Sequence, residues 1–179
     1  MNRSNIARWL GENGSVDEAL TALQGLLKDE TRILGPDHPN VLRTRSNIAS
    51  WLGQSGAIAE ALTASEDLLK DQTSMLGSDH PYVLATRSNI AGFLRHNGSI
   101  AEALTAFQEL LNDQIRIHGA DHPNVIKTRD VIASCLGQSG SIDEALSALQ
   151  ILLKDLIRIF GADHYTVLAS RYNLSLIHI

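Results

Sequence analysis

The sequence lacks the features that would make it a disulfide-bonded, secreted or membrane-spanning protein. Cys135 is the only cysteine, so no intramolecular disulfide can form, and this composition favours a reducing compartment. No stretch approaches the roughly 18 consecutive apolar residues that indicate a membrane span, and the first residues, MNRSNIARWLG, contain no apolar core of a signal peptide. We therefore expect a cytoplasmic protein that does not interact with a membrane.

An excess of positive charge is also absent. The chain has 15 Lys and Arg residues against 20 Asp and Glu residues, which gives a net charge of −5. No cluster of Lys and Arg offers a surface for nucleic acid or for anionic lipid, so neither is expected as a partner. The hydrophobic share of 44% is nevertheless that of a folded chain with a packed interior.

The sequence contains none of the common short signatures of enzymes. It has no Gly-x-x-x-x-Gly-Lys-Ser/Thr, His-Glu-x-x-His, Gly-x-Ser-x-Gly or Cys-x-x-Cys pattern. We predict that the protein is not an enzyme, has no catalytic residues and needs no cofactor. A metal- or thiol-dependent enzyme is a weaker alternative, because no pattern places a base beside Cys135.

The main feature of the sequence is a repeated block, clearest at Gly35–Leu62 as GPDHPNVLRTRSNIASWLGQSGAIAEAL. Equivalent residues recur every 42 positions, as at Gly35, Gly77, Gly119 and Gly161. A fixed period of this size indicates a solenoid, in which each unit covers the apolar face of its neighbour. The predicted units are residues 1–34, 35–76, 77–118 and 119–160, with a partial unit at 161–173.

Each unit predicts two helices and no strand. Apolar residues keep helical spacing from Val16 to Leu34 (helix B of a unit). Helix A opens at Asp37-His38-Pro39, where either Asp37 or His38 is the cap, since proline fits the first helical turn. Helix B is expected to begin with a capping box, at Ser15 with Glu18 and at the equivalent pairs Ser99 with Glu102 and Ser141 with Glu144. The predicted fold is all-α, a right-handed superhelical solenoid of antiparallel helix hairpins.

Both ends of the chain depart from the repeat. The segment Met1–Leu10 matches the second half of a helix A without its first half, so the chain enters in the middle of a unit. Residues 174–179, LSLIHI, leave the motif and look like the translation of a sequencing-library adapter, so we expect a non-native tail there. An array truncated at both ends exposes apolar helix faces, which favours self-association.

The repeated block resembles the tetratricopeptide repeat. The segment Gly14–Leu20 opens the second helix as that family does, and Ala49 and Ala61 match its small residues where two helices approach closely. The unit is longer than the usual ~34 residues, and its Gly-Pro-Asp-His-Pro loop is similar to that of kinesin light chains and related bacterial signalling arrays. It departs at Leu68, where alanine is usual, and at Arg45, where kinesin light chains carry leucine. The resemblance implies a scaffold for protein–protein interaction.

Two polar series recur with the same period and predict ion pairs. Arginine recurs from Arg3 onwards on the apolar side of helix A, and aspartate recurs from Asp29 onwards in helix B. Folding helix B against the following helix A places these residues opposite each other. The predicted pairs are Asp29–Arg45, Asp71–Arg87, Asp113–Arg129 and Asp155–Arg171. The alternative is that these arginines face a carboxylate of a ligand.

The histidines of the loops, His38, His80, His122 and His164, could suggest a metal site. A zinc ion needs several ligands within ~2 Å, whereas equivalent residues of a solenoid stand in a row, separated by helix packing distances of ~8–10 Å. We therefore predict that they organise the loops and that no metal is bound.

Helix B of the fourth copy is more apolar than the others. Ile151 and Leu156 occupy positions that are mostly polar in the other copies. They indicate either an interface with another unit or partner, or the packing of a helix end on its own chain.

One position at the edge of helix A holds Trp9, Trp51, Phe93 and Cys135. Packing between units is the simpler interpretation, and stacking on a ligand is the alternative. Cys135 is then a small apolar residue at an aromatic site.

In the family that this sequence resembles, the A helices line a concave groove, so their remaining polar residues are candidates for binding an extended peptide. Asn47 and Asn89 match asparagines that hydrogen-bond the backbone of a bound peptide in that family, whereas the fourth copy has Val131 there. The candidate groove residues are Arg43, Ser46, Asn47, Ser50, Gln54, Ser88, Asn89, His96, Lys127, Asp130 and Gln138.

These features predict a non-enzymatic interaction module that binds a peptide or a partner domain. The alternative is a sensor or regulatory array of a larger signalling NTPase whose catalytic domain lies outside this sequence. A P-loop motif upstream in the reading frame would favour that alternative.

Overall fold

A computed structural model describes residues 3–168 and 170–171, and the predicted tail at 174–179 lies outside the described residues. The described chain consists of helices and short turns without a strand. The shorter helices, which correspond to the predicted helices A, are α1 (Arg3–Glu12), α3 (Pro39–Gln54), α5 (Pro81–His96) and α7 (Pro123–Gln138). The longer ones, which correspond to helices B, are α2 (Val16–Leu34), α4 (Ile58–Leu76), α6 (Ile100–His118) and α8 (Ile142–Phe160).

The helices form two compact units, at residues 1–97 and 98–179. In the first unit each helix from α1 to α4 packs against the next one, and α3 also touches α5. In the second unit α7 packs against both α6 and α8. Since short turns join consecutive helices, neighbours run antiparallel, and the predicted all-α solenoid of helix hairpins is confirmed. None of the described helices is both long and apolar enough to cross a lipid bilayer.

Histidine caps the three A helices α3, α5 and α7. His38 has an extended backbone, and its ring Nδ1 accepts a hydrogen bond from the backbone N–H of Asn40 at 3.1 Å. His80 and His122 cap α5 and α7 in the same way, at 3.2 Å each. The acceptor atom must be an unprotonated nitrogen, so each capping ring carries its proton on Nε2. The repeated histidines therefore start helices, as a loop-organising role requires.

The capping boxes predicted for the B helices are wrong. Ser15, Ser99 and Ser141 precede α2, α6 and α8, but none of their side chains accepts a hydrogen bond from the first turn. Ser15 has φ −85° and ψ 60°, outside the extended conformation in which a capping hydroxyl reaches the N–H groups of the helix. Ala57 has a nearly identical backbone, with φ −76° and ψ 59°, so its missing hydroxyl removes no cap.

The arginine–aspartate pairs form, but with other partners than predicted. Arg45 Nη1 donates to Asp71 Oδ2 at 2.6 Å instead of binding Asp29. The equivalent pairs have the same spacing of 26 residues, with Arg3–Asp29 at 2.6 Å and Arg129–Asp155 at 2.7 Å. Each described pair therefore joins the two helices of one hairpin. The predicted pairs Asp29–Arg45, Asp113–Arg129 and Asp155–Arg171 are incorrect, and Asp71 binds Arg45 instead of Arg87.

The predicted ion pairs were wrong because the residue of α3 that faces α2 is Thr44, and not its neighbour Arg45. Thr44 occupies the level of α3 where Arg45 was expected, and its hydroxyl donates to Glu30 of α2 at 2.7 Å. Successive residues of a helix point about 100° apart, so Thr44 faces α2 while Arg45 faces α4. The same contact recurs as Thr86–Gln72 at 2.7 Å and Thr128–Gln114 at 2.8 Å, both buried. These hydroxyl–acceptor contacts fix the register between a helix B and the next helix A.

Aromatic rings pack on glycine between adjacent copies. A Cβ atom added to Gly11 of α1 would overlap the indole ring of Trp51, and one added to Gly53 of α3 would overlap the ring of Phe93. The side of each ring that faces the glycine therefore packs between adjacent copies. Cys135, at the equivalent position of α7, is fully buried, whereas Trp9 is exposed.

The two apolar substitutions of the fourth copy have different environments. Leu156 is buried in a cluster with Ala133, Leu149, Leu152 and Val167, so it packs on its own chain. Ile151 is 59% exposed on α8. Leu156 is therefore part of the core, and Ile151 is the one that remains available to a partner.

Candidate functional site

The A helices of the first unit line two adjoining cavities. The first, of about 550 Å³, lies between α1 and α3, with Leu23 of α2 also in its wall. The second, of about 590 Å³, lies between α3 and α5. Ser50 and Gln54 line both cavities, so the two together form one surface, which we call the groove. Its other polar residues are Ser4, Asn5, Arg8, Glu12, Arg43, Asn47, Asn89 and His96.

Three asparagines repeat along this groove at one position per copy. Asn5 and Asn47 line the first cavity and Asn89 lines the second. A side-chain amide offers both a donor and an acceptor, which is what the backbone of an extended peptide requires. Adjacent helices hold these amides a helix packing distance of ~8–10 Å apart, so they can bind peptide groups that are spaced a few residues apart along an extended chain.

The charges of the groove are mixed. Arg8 and Arg43 line the first cavity together with Glu12, and Arg8 Nε lies 3.8 Å from Glu12 Oε1. Both side chains of this pair are exposed, and they lie one helical turn apart. The pair therefore contributes little to stability, and both charges remain available to a ligand. His96 and Phe93 line the second cavity, where no acidic residue is present. The groove can therefore pair with charged groups of a ligand in its first half.

Trp51 and Phe93 add apolar surface to the groove. Each ring lines one of the cavities while it packs on a glycine of the A helix of the preceding copy. Both residues are partly exposed, so one side of the ring remains open. The position thus combines packing between copies with a surface on which a ligand can stack.

The second unit has a cavity of its own at the corresponding face. It has a volume of about 400 Å³ and contains Lys127 and Asp130 of α7. Asp130 is exposed, but partial burial of its carboxyl by the surrounding protein raises the pKa of that carboxyl above its usual value. Among the described residues, nothing forms an ion pair with it. The fourth copy therefore differs chemically from the asparagine-lined groove.

The structure brings together most of the predicted site residues. Arg43, Asn47, Ser50 and Gln54 share the first cavity, and Asn89 and His96 meet Ser50 and Gln54 in the second. Three predicted residues do not line any of these three cavities. Ser46 and Ser88 are half-buried on α3 and α5, and Gln138 is exposed at the end of α7.

Residues of α1 were missed by the sequence analysis. Ser4, Asn5, Arg8 and Glu12 line the first cavity opposite α3. They were overlooked because the first helix A is incomplete in the sequence. The 42-residue period contained the signal, since Asn5 is the equivalent of Asn47 and Asn89.

Within the described part of the chain, no three His, Cys, Asp or Glu side chains are grouped so that they could hold a metal ion. His118 and His122 stack with their ring centroids 4.4 Å apart, and Phe160 stacks on His164 at 4.9 Å. These contacts close the turn between a helix B and the next helix A.

Comparison with known families gives a match over most of the chain. The profile described as "Tetratricopeptide repeat" matches residues 1–74 and 82–154. No curated protein matches the sequence.

Comparison with solved structures gives relatives with the same fold. The tetratricopeptide-like repeats of a kinesin light chain from Podosopora anserina superpose with a TM-score of 0.85 and 24% sequence identity, over 98% of this chain and 83% of that one. BtubC (BKLC) from P. vanneervenii gives a TM-score of 0.80 at 16% identity, over 98% of this chain and 70% of that one. A Rap protein complexed with the competence and sporulation factor gives 0.71 at 13% identity, over 96% and 51%.

Proposed function

The chain belongs to the tetratricopeptide repeat family, as a kinesin light chain-like array, and we propose that it is a non-enzymatic interaction module that binds an extended peptide in the groove of its A helices. The observation that carries this proposal is the row of amides at Asn5, Asn47 and Asn89, which line adjoining cavities. A partner domain that presents such a segment would bind in the same way. The activity needs no cofactor, because hydrogen bonding and packing suffice for recognition.

The physical basis is a preformed surface. The helices that carry the amides are held by buried hydroxyl–acceptor contacts and ion pairs within each hairpin, so little order has to be gained on binding. Each hydrogen bond between a groove amide and a peptide group contributes about 0.5–1.5 kcal/mol. Because the amides recur with the copies, binding strength adds up along the peptide. Solenoids characteristically use extended surfaces of this kind for binding.

A structural relative supports this proposal. The Rap protein has the same fold, and its structure was solved in complex with the competence and sporulation factor. A second neighbour, PlcR of Bacillus thuringiensis, is a complex with the peptide PapR7 and DNA, with a TM-score of 0.65. The fold therefore accommodates peptides in other proteins, and we extend this property to the present chain.

The test is selection of peptides from a random library on the immobilised chain, followed by measurement of Kd for the strongest binder. In the variant Asn47→Ala with Asn89→Ala we expect at least tenfold weaker binding. The matched control is Asn112→Ala, an exposed asparagine of α6 on a helix B, which is expected to leave Kd unchanged. Equal affinity of the chain and the double variant, with both folded by circular dichroism, would contradict the proposal.

A further inference from the structure

Two aromatic rings stand at equivalent positions of adjacent A helices in the first unit. Trp51 of α3 lines the first cavity of the groove, and Phe93 of α5 lines the second. One side of each ring packs on a glycine of the A helix of the preceding copy, at Gly11 and at Gly53. Both residues are only partly buried, so each copy presents one open side of a ring to the groove.

Each ring has an asparagine one helical turn before it. Asn47 precedes Trp51 by four residues, Asn89 precedes Phe93 by four residues, and each asparagine lines the same cavity as its ring. Among the described residues, neither side-chain amide has a hydrogen-bond partner. Four residues of a helix span ~6 Å along its axis. The groove therefore repeats one unit in successive copies, an apolar ring with a hydrogen-bonding amide beside it, which we call a ring–amide pair.

The spacing of the ring–amide pairs determines which peptide conformation they fit. Since α3 touches α5, the two pairs are separated by about one helix packing distance, ~8–10 Å. A polyproline II helix rises ~3.1 Å per residue with about three residues per turn, so residues i and i+3 lie ~9 Å apart on the same side. Side chains of a β-strand alternate, so residues on one side are ~7 Å or ~13 Å apart. The ring–amide pairs match the polyproline II spacing and fall between the two β-strand spacings.

We propose that the groove of the first unit binds a peptide in the polyproline II conformation, with prolines three residues apart that pack on Trp51 and Phe93. The side-chain N–H groups of Asn47 and Asn89 donate to carbonyl oxygens of this peptide, which have no partner within a polyproline II helix. The inference rests on the proposed function and deepens it, because it names the class of peptide that the groove binds.

Proline fits the ring–amide pairs better than other residues. It fixes φ near about −65°, so a peptide with several prolines already has most of the bound conformation and loses less entropy on binding. Its ring is apolar and packs on aromatic side chains that line a groove. The described lining of the second cavity contains no Asp, Glu, Lys or Arg, and His96 is its one titratable residue. That cavity therefore suits an uncharged side chain.

The test is a titration of the full chain with two capped nonapeptides of identical composition, followed by the indole signal of Trp51 and the side-chain amide signals of Asn47 and Asn89. The spaced peptide is Ala-Ala-Pro-Ala-Ala-Pro-Ala-Ala-Pro. The control peptide is Ala-Ala-Pro-Ala-Pro-Ala-Pro-Ala-Ala, in which no two prolines are three residues apart. We expect the spaced peptide to bind about five- to tenfold more tightly, because only it reaches both rings. Equal Kd for the two peptides, or no shift with either, would overturn the proposal.

Variants of the rings should remove the difference between the two peptides. Trp51→Leu and Phe93→Leu keep an apolar side chain over the glycine but lack the flat ring. In each variant we expect the Kd of the spaced peptide, measured from the Asn89 amide signal, to rise about five- to tenfold and to approach that of the control peptide. Tyr82→Leu is the matched control, since it changes an exposed ring of α5 that lines neither cavity of the groove, and it should leave both Kd values unchanged.

The comparison of the two peptides needs no variant, so it stands even if a ring variant fails to fold. If Trp51→Leu and Phe93→Leu are as helical as the original chain by circular dichroism and bind the spaced peptide equally well, the rings do not contact proline and the assignment is wrong.

The outcome can be separated from that of the proposed function. If peptides selected from a library depend on Asn47 and Asn89 but have no prolines three residues apart and bind Trp51→Leu unchanged, only the polyproline II assignment is rejected. If the spaced peptide binds through Trp51 and Phe93 while Asn47→Ala with Asn89→Ala changes neither its Kd nor that of selected peptides, the role of the asparagines in the proposed function is rejected instead.

Discussion

Arg45 donates to Asp71 of its own hairpin, with 2.6 Å between Nη1 and Oδ2, and not to Asp29 of the preceding hairpin. The pair is partly buried, with 25% of the arginine side chain and 45% of the aspartate side chain exposed. It therefore holds α3 and α4 together, while the contact of Thr44 with Glu30 connects α3 to α2.

The choice of partner can be tested with two double-mutant cycles. We expect Arg45→Leu and Asp71→Asn to show a coupling energy of about 0.5–1 kcal/mol, because partly exposed pairs contribute on this scale. Arg45→Leu and Asp29→Asn should be additive. The measurement is the free energy of urea unfolding, and coupling to Asp29 without coupling to Asp71 would contradict the assignment.

Replacing a helical glycine by alanine should destabilise the protein where an aromatic ring packs on that glycine, and should not do so at the equivalent glycine of another copy. Gly53→Ala is expected to destabilise the protein by about 1–3 kcal/mol, because the new methyl group overlaps the ring of Phe93. Gly137→Ala is the matched control in α7, where the nearest atom of residues 3–168 and 170–171 lies at 4.0 Å, and it should stabilise by about 0.5–1 kcal/mol through helix propensity. Thermal melts measure both, and equal signs for the two variants would refute this explanation.

The buried contact between Thr86 and Gln72 predicts a penalty for removing one partner. Thr86→Val leaves the buried amide of Gln72 without its donor, which should destabilise by about 1–3 kcal/mol. Thr86→Val combined with Gln72→Leu should recover most of this loss, since both polar groups are then absent. Thr63→Val on the exposed face of α4 serves as the control with a small effect. If the combined variant is less stable than Thr86→Val alone, the contact does not act as described.

The stability of the protein in acid should depend on aspartates whose pKa values are shifted in opposite directions. The hydrogen bond from Arg158 lowers the pKa of Asp121, and that from Arg3 lowers the pKa of Asp29. A carboxyl whose pKa is lower in the folded state stabilises the fold above its unfolded pKa of about 4, and this contribution is lost as the pH falls through the folded value. Asp121→Asn should therefore lower the urea midpoint at pH 7 and flatten its decline below pH 5.

Asp130 should show the reverse dependence. Partial burial raises the pKa of its carboxyl, but the residue is exposed, so the penalty on its charged form at neutral pH is small. This penalty disappears as the pH falls below the unfolded pKa. Asp130→Asn is expected to raise the urea midpoint at pH 7 and to leave it nearly unchanged at pH 3. A lower midpoint for Asp130→Asn at pH 7 would show that the carboxylate has a stabilising partner.

The sequence predicted the helices and the starts of α3, α5 and α7 because these depend on local patterns, whereas the caps that it predicted for the B helices are wrong. The period of the glycines and the Asp-His-Pro starts placed the helix ends, and Gly35 has the expected positive φ of 87°. Rotation about a helix axis was harder to predict, since Thr44 and Arg45 both lie on the side towards the core. One residue changes the direction by about 100°, which is enough to exchange the partners of the arginines.

Contacts between copies also could not be predicted from the sequence pattern. The packing of Trp51 on Gly11 joins positions 40 residues apart, and no local signal marks the pair. The unpaired hydroxyl of Ser170 becomes visible only when Thr44 and Glu30 are known to be partners. The asparagine row, by contrast, could be read from the repeat.

The central claim is that peptides bind to the A helices, and side-chain amide chemical shifts test it most directly. On titration with a peptide selected on the full chain, we predict that the side-chain NH₂ signals of Asn5, Asn47 and Asn89 shift together with one Kd, while that of Gln24 on the exposed face of α2 stays in place. Shifts of Gln24 and its neighbours on the B helices, with unchanged signals of the three asparagines, would contradict the account.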